Sequence, residues 1–230
     1  MELANDFLDV KNNYSKKINI TKYTEGEKSC YTFEGVKDIC ELIIGDNDIE
    51  YNSIDKVKRK HFIINKKLLI AESFYNKDSD MYSKNFTGTI ISCGFQGINH
   101  LSSILYLNEY YKINCIIHND NTGKYYRTSY KNYPNLICVY KNDGWFMDIN
   151  NVPSNIEYNE CLDDLSHIIT IDCDMNIYRP YLLPITKYKV KELEELCKER
   201  KIKLLKESGK KKLKKELYDE INIYVLKNDP

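Results

Sequence analysis

"NLICVYKNDGWFMDI", residues Asn135–Ile149, reads as a strand, a tight Asn-Asp-Gly turn and a second strand. Apolar and β-branched residues flank a short polar break, which is the pattern of a hairpin. Just upstream, "INCIIHN" (Ile113–Asn119) is another β-rich run, and "NTGKYYRTSY" (Asn121–Tyr130) supplies a turn and an extended stretch. Further back, "GINHLSSILYLNEYY" (Gly97–Tyr111) places Ile98, Leu101, Leu105 and Tyr106 on one face of a helix. "TGTIISCGF" (Thr87–Phe95) before it reads as a strand. Strand, helix and strand with short joins predict a right-handed crossover onto a parallel neighbour. The fold class that follows is a mixed-sheet α+β (or α/β) domain.

Working toward the start, "YNKDSDMYSKN" (Tyr75–Asn85) is a polar loop, and "HFIINKKLLIAESF" (His61–Phe74) reads as a strand pair about "NKK". In "VKDICELII" (Val36–Ile44), Val36, Ile39, Cys40 and Ile43 fall at helical spacing. The rest of the first 60 or so residues is polar, acidic and weakly specified.

Toward the end, "MNIYRPYLLPITKY" (Met175–Tyr188) carries two prolines and reads as an extended linker. It divides the chain into a mixed α/β body, residues 1–180, and a small all-α unit, residues 186–226. Thr186 serves as an N-cap, and Val190, Leu193, Leu196 and Cys197 form the stripe of a helix that ends near Arg200. Ser208 and Gly209 break the chain, and Leu213, Leu217 and Ile221 recur every fourth residue on a second helix. Two such short helices need each other, with Ile202 and Leu205 closing the core between them.

Hydrophobic residues make up 42% and charged residues 30% of the 230, enough apolar material to bury a core. No apolar run approaches the roughly 18 residues of a membrane span, and the first residues lack a signal-peptide pattern, so the expectation is a soluble intracellular protein without a membrane partner. In a reducing compartment the eight cysteines are expected as thiols. None forms a Cys-x-x-Cys pair, and the four histidines show no metal-binding spacing, so neither metal nor cofactor is implied. The net charge of zero is unevenly placed: residues 187–227 hold 14 Lys and Arg against 8 Asp and Glu, while the first 186 hold 20 against 25. A basic end on an acidic body fits a tail that meets a polyanion.

Thr186, Val190, Glu192-Leu193, Leu196, Ile202, Gly209, Lys211, Leu217 and Ile221 together resemble the SAP family, a module of helix, extended link and helix. The resemblance covers about a sixth of the chain. It implies binding of double-stranded DNA, often AT-rich, through Lys210, Lys211, Lys212, Lys214 and Lys215 at the start of the second helix, with Lys187 and Lys189 before the first. Abundant Asn, Lys, Ile and Tyr, with 20 tyrosines against one tryptophan, point to an AT-rich genome. In that style the body resembles proteins of large DNA viruses, which implies the host nucleus or a cytoplasmic viral factory.

One constellation suggests catalysis. Cys93, read as lying at a strand end before a helix, has His100, His118 and Asp120 as conceivable partners. The plainer reading is a core thiol, since Cys is among the most buried residue types. The order of strands around the "DG" turn is similar to the later strands of OTU-like cysteine proteases, but Trp145, Phe146 and Met147 stand where that family's histidine is expected. If the fold is shared, activity is lost. "NTGKYY" lacks the upstream glycine of a phosphate loop. The sequence thus reads as a non-enzymatic, DNA-associated protein whose body is an interaction or scaffold domain for an unknown protein partner. The alternatives are a cysteine hydrolase using Cys93 and a structural adaptor whose tail binds an acidic protein.

Overall fold

The computed structural model describes residues 35–76, 81–148, 156–159 and 161–228. Most of the weakly specified start and residues 77–80 of the polar loop lie outside them. The described chain is α+β, with a four-stranded mixed sheet, helices before and after it, and a C-terminal helix pair.

The sheet is built from β1 (Asn114–Asn119), β2 (Lys124–Arg127), β3 (Asn135–Lys141) and β4 (Gly144–Asp148), in the order β2-β1-β3-β4. β1 and β3 run parallel, with Cys115 opposite Leu136 and Ile117 opposite Cys138, while both outer pairs are antiparallel. The central strands are the buried ones: Cys115, Ile116, Ile117, Cys138 and Val139 are shielded from solvent. The hairpin read from Asn135 onward is present. Asn142 and Asp143 take φ of 50° and 56°, and Lys141 faces Gly144 across a two-residue turn. Such a turn needs left-handed backbone at both central positions, and Asn and Asp accept it more readily than other residues bearing a Cβ.

Among the described residues, four α-helices precede the sheet. α1 (Ile39–Asn47) confirms the helix read at Val36–Ile44, and Ile39, Cys40, Leu42, Ile43 and Ile44 are all buried. α2 (Lys56–Ser73) replaces the strand pair expected about "NKK". Its inward residues are Ile63, Ile70 and Ala71, a helical spacing. Lys66 and Lys67 are not a turn: Lys66 pairs with Asp48 at 2.5 Å, and Lys67 pairs with the largely buried Asp38. Asp38 also caps α1, accepting from the backbone N–H of Cys40 at 3.1 Å and of Asn99 at 3.2 Å.

α3 (Gly88–Gln96) overturns the strand read at Thr87–Phe95. Thr87 caps it, accepting from Ile90 N–H. A Cβ on Gly94 would overlap Ser102 Oγ on the next helix, so this glycine permits close helix packing and does not mark a strand end. The expected strand–helix–strand crossover is therefore absent, and the parallel neighbour of β1 is β3, reached by way of β2. α4 (Leu101–Tyr111) is buried on every side from Leu101 to Glu109, while Ile98, assigned to its apolar face, precedes it and is 60% exposed. A short helix, α5 (Leu162–Leu165), follows the sheet.

Buried apolar residues form two clusters. The first runs from Ile39 to Ile177 and includes Trp145; the second comprises Leu182, Leu193, Cys197, Leu217 and Ile221. No helix among the described residues is long and apolar enough to cross a membrane.

Candidate nucleic-acid interface

The second cluster is the core of a helix pair, α6 (Val190–Glu199) and α7 (Lys214–Asn228). α6 starts later than expected: Thr186 lies in a 3-10 turn, Ile185–Lys187, and the cap is Lys189. Its backbone N–H donates to the Glu192 carboxylate at 2.6 Å, one half of a capping box. Leu193 and Cys197 point inward. The Cys197 thiol is raised by burial and then by Glu220.

The link between the helices is not a single extended strand. It doubles back as a small hairpin: Leu205 pairs with Lys211, Lys206 N–H donates to Lys210 O at 2.8 Å, and Gly209 N–H donates to Lys206 O at 2.9 Å. Gly209 takes φ of 77° at the end of the three-residue loop, where left-handed backbone is required. The hairpin turns Leu204 toward the core and leaves Leu205 half exposed, reversing the expected role of Leu205. Leu213 is also displaced from its assigned stripe. It stands just before α7 and is 66% exposed, whereas Leu217 and Ile221 are buried as expected.

The lysines of this region separate into two sets. Lys206 binds Glu216 at 2.5 Å, and Lys212 binds Glu220 at 2.5 Å while donating to Lys203 O at 2.7 Å. Glu216 also accepts from the Leu213 backbone N–H at 2.7 Å, and the Lys206 contact followed by this bond holds its carboxyl below the usual range. These groups brace the turn into α7. Lys212, assigned above to phosphate contact, is thus pinned along the protein surface. Lys210, Lys211, Lys214 and Lys215 make no ion pair among the described residues, and Lys210, Lys211 and Lys215 are exposed. Lys187 and Lys189 are exposed before α6. The sequence assigns no role to Lys206, because nothing local distinguishes a bracing lysine from a free one; the balancing of the lysine face by acids such as Glu216 and Glu220 takes the form of these two specific pairs.

The residues considered for catalysis are not assembled. Cys93 is neither at a strand end nor in the core; it lies within α3 with its side chain exposed. No hydrogen bond links it to His100, His118 or Asp120. His118 stacks on Tyr125 with ring centroids 4.1 Å apart, and Asp120 pairs with Lys141 at 3.0 Å. His100 Nδ1 lies 3.1 Å from Asp172, which also accepts from Ser102 N–H at 2.9 Å and Ser102 Oγ at 2.5 Å. That carboxylate satisfies the start of α4, a structural task. Trp145 is fully buried on β4. No protein-family model, curated protein or solved structure matches this chain.

Proposed function

We propose that the C-terminal helix pair binds double-stranded DNA through its phosphates, and that the sheet body is an interaction or scaffold domain. The observation that carries this reading is the set Lys210, Lys211, Lys214 and Lys215, without an ion pair among the described residues, on the returning arm of the hairpin and the first turn of α7. The start of a 15-residue helix adds the positive end of its dipole. The resemblance to the SAP family points the same way.

Base readout is expected to be weak. Lysine is a flexible point charge, α7 holds no arginine, and its Asn222 is buried, donating to Tyr218 O and accepting from Leu182 N–H. Four phosphate contacts predict a slope of log affinity against log salt of about −3.6 on duplex DNA. Replacing Lys210, Lys211, Lys214 and Lys215 together by Gln should bring the slope close to zero and weaken all duplex sequences alike. The fold should survive, because Lys206 and Lys212 are kept. Titration of a labelled duplex at several salt concentrations checks this. Unchanged binding by the variant, or no binding by the full chain at about 50 mM salt, would overturn the reading; the latter result favours an acidic protein as the tail's partner.

A further inference from the structure

We propose that the body carries a binding site for a small planar aromatic molecule bearing one anionic group, in the cavity beside the outer edge of β2. The edge is closed by the segment 156–159: Tyr158 pairs with Tyr125, and Asn159 N–H donates to Tyr125 O at 2.8 Å. Between this segment, β2 and α5 lies a cavity of about 320 Å³, walled by Tyr126, Arg127, Tyr158, Leu162, Leu165 and Met175. That size is at the lower end of ligand pockets and admits one ring system with a charged substituent.

Three features of the wall call for a ligand. First, the Arg127 guanidinium lies 4.2 Å from the Tyr158 ring centroid and makes no ion pair with a carboxylate among the described residues. The nearby carboxylate of Asp164 is already engaged by Lys124 and by the Asn159 amide, the latter at 2.8 Å. Second, two polar atoms, the Tyr126 hydroxyl and Arg127 Nε, are shut from solvent and make no hydrogen bond. Burial raises the Tyr126 phenol, and the adjacent Asn159 amide, which donates to Asp164 at 2.8 Å, partly offsets this. Unpaired buried polar atoms cost stability and are uncommon, and two of them fall together on this wall. Third, apart from Asn159 and Cys161 the remaining wall is apolar and aromatic, suited to a flat ring. A guanidinium fork matches a carboxylate or a phosphate, so the anion is one of these two.

The site shares no residue with the lysine interface and stands or falls separately. Calorimetric titration of the full chain with adenosine monophosphate, thymidine monophosphate and indole-3-acetate, with adenosine as the uncharged control, tests it. Saturable binding of the monophosphates or of the aryl carboxylate at about 1 mM or tighter is expected, and which class binds identifies the anion. Arg127→Met should weaken it by at least about thirtyfold; should that variant fail to fold, Arg127→Gln reads the same loss. Tyr126→Phe should weaken binding about tenfold while leaving the melting temperature of the free protein unchanged or higher, because it removes an unpaired hydroxyl. Absence of binding by every charged probe, equal binding of adenosine and its monophosphate, or unaltered affinity in a folded Arg127 variant would each overturn the proposal.

Discussion

His118 shows how one side chain ties the sheet to pH. It sits near the end of β1 with its ring flat against Tyr125, the planes 2° apart. Burial lowers its pKa from the ordinary 6.5, against an upward pull from Asp120 and Asp148, with Lys141 adding a smaller push down. Because the folded value lies below the unfolded one, the unfolded chain takes up this proton first as pH falls. The contribution of His118 to stability is complete above about pH 6.5 and is lost as pH drops from there through the folded value. The urea midpoint should therefore fall between about pH 7.5 and 5.5, and His118→Gln should lessen that fall. The carboxyls of Asp164 and Glu216, held by Lys124 and Lys206, lie below the ordinary carboxylate range, so the windows are separable. An equal pH dependence in the variant would assign the effect elsewhere. Lys67 shows the opposite balance. Burial alone would depress its ammonium, but Asp38 and Cys40 outweigh that and its pKa stands above the ordinary value.

Among the elements, α2 and α3 are where local pattern misleads. Isoleucines and a polar "NKK" suggest two strands, yet Lys66 and Lys67 complete a helix because Asp48 and Asp38 stand opposite. The exposed Ile64, Leu68 and Leu69 blur the periodicity further. In α3, a β-branched run between glycines looks like a strand, but the glycines let neighbouring groups approach. Gly94→Ala distinguishes the two situations. In an exposed helix the change gains up to about 1 kcal/mol. Here the added methyl meets Ser102 Oγ, itself held by Asp172, so a loss of roughly 1–3 kcal/mol from overpacking is expected in urea unfolding. A stabilised Gly94→Ala protein would refute the packing role.

For the molecule as a whole, the two apolar clusters meet without merging. Tyr178 packs with the first and Leu182 with the second. Upstream of the junction the chain is secured: Ser83 N–H donates to Ile177 O at 2.8 Å, and Arg179 N–H donates to Met81 O at 2.9 Å. Downstream, Leu182 N–H donates to Asn222 at 3.1 Å. Tyr181 between these ties, and Leu183, Thr186 and Lys187 just after them, are exposed. Limited proteolysis should cut first within residues 181–187 and leave a stable body fragment, identified by mass. Earlier cutting inside residues 90–118, which hold the fully buried α4, would contradict the division.

What could be read locally is what local physics controls. The hairpin at Asn142 and Asp143 depends on backbone that those two residues accept, and the helix pair depends on Leu193, Cys197, Leu217 and Ile221 recurring at helical spacing. These elements were legible for that reason. The nature of α2 and α3, the exposure of Cys93 and Leu213, and the division of the lysines were not. Each depends on a partner remote in sequence or across a turn: Asp38 for Lys67, Ser102 for Gly94, Glu216 for Lys206 and Glu220 for Lys212. Charge and hydrophobicity are properties of a residue, but whether a charge is free or spent is set by the chain folding a second group against it.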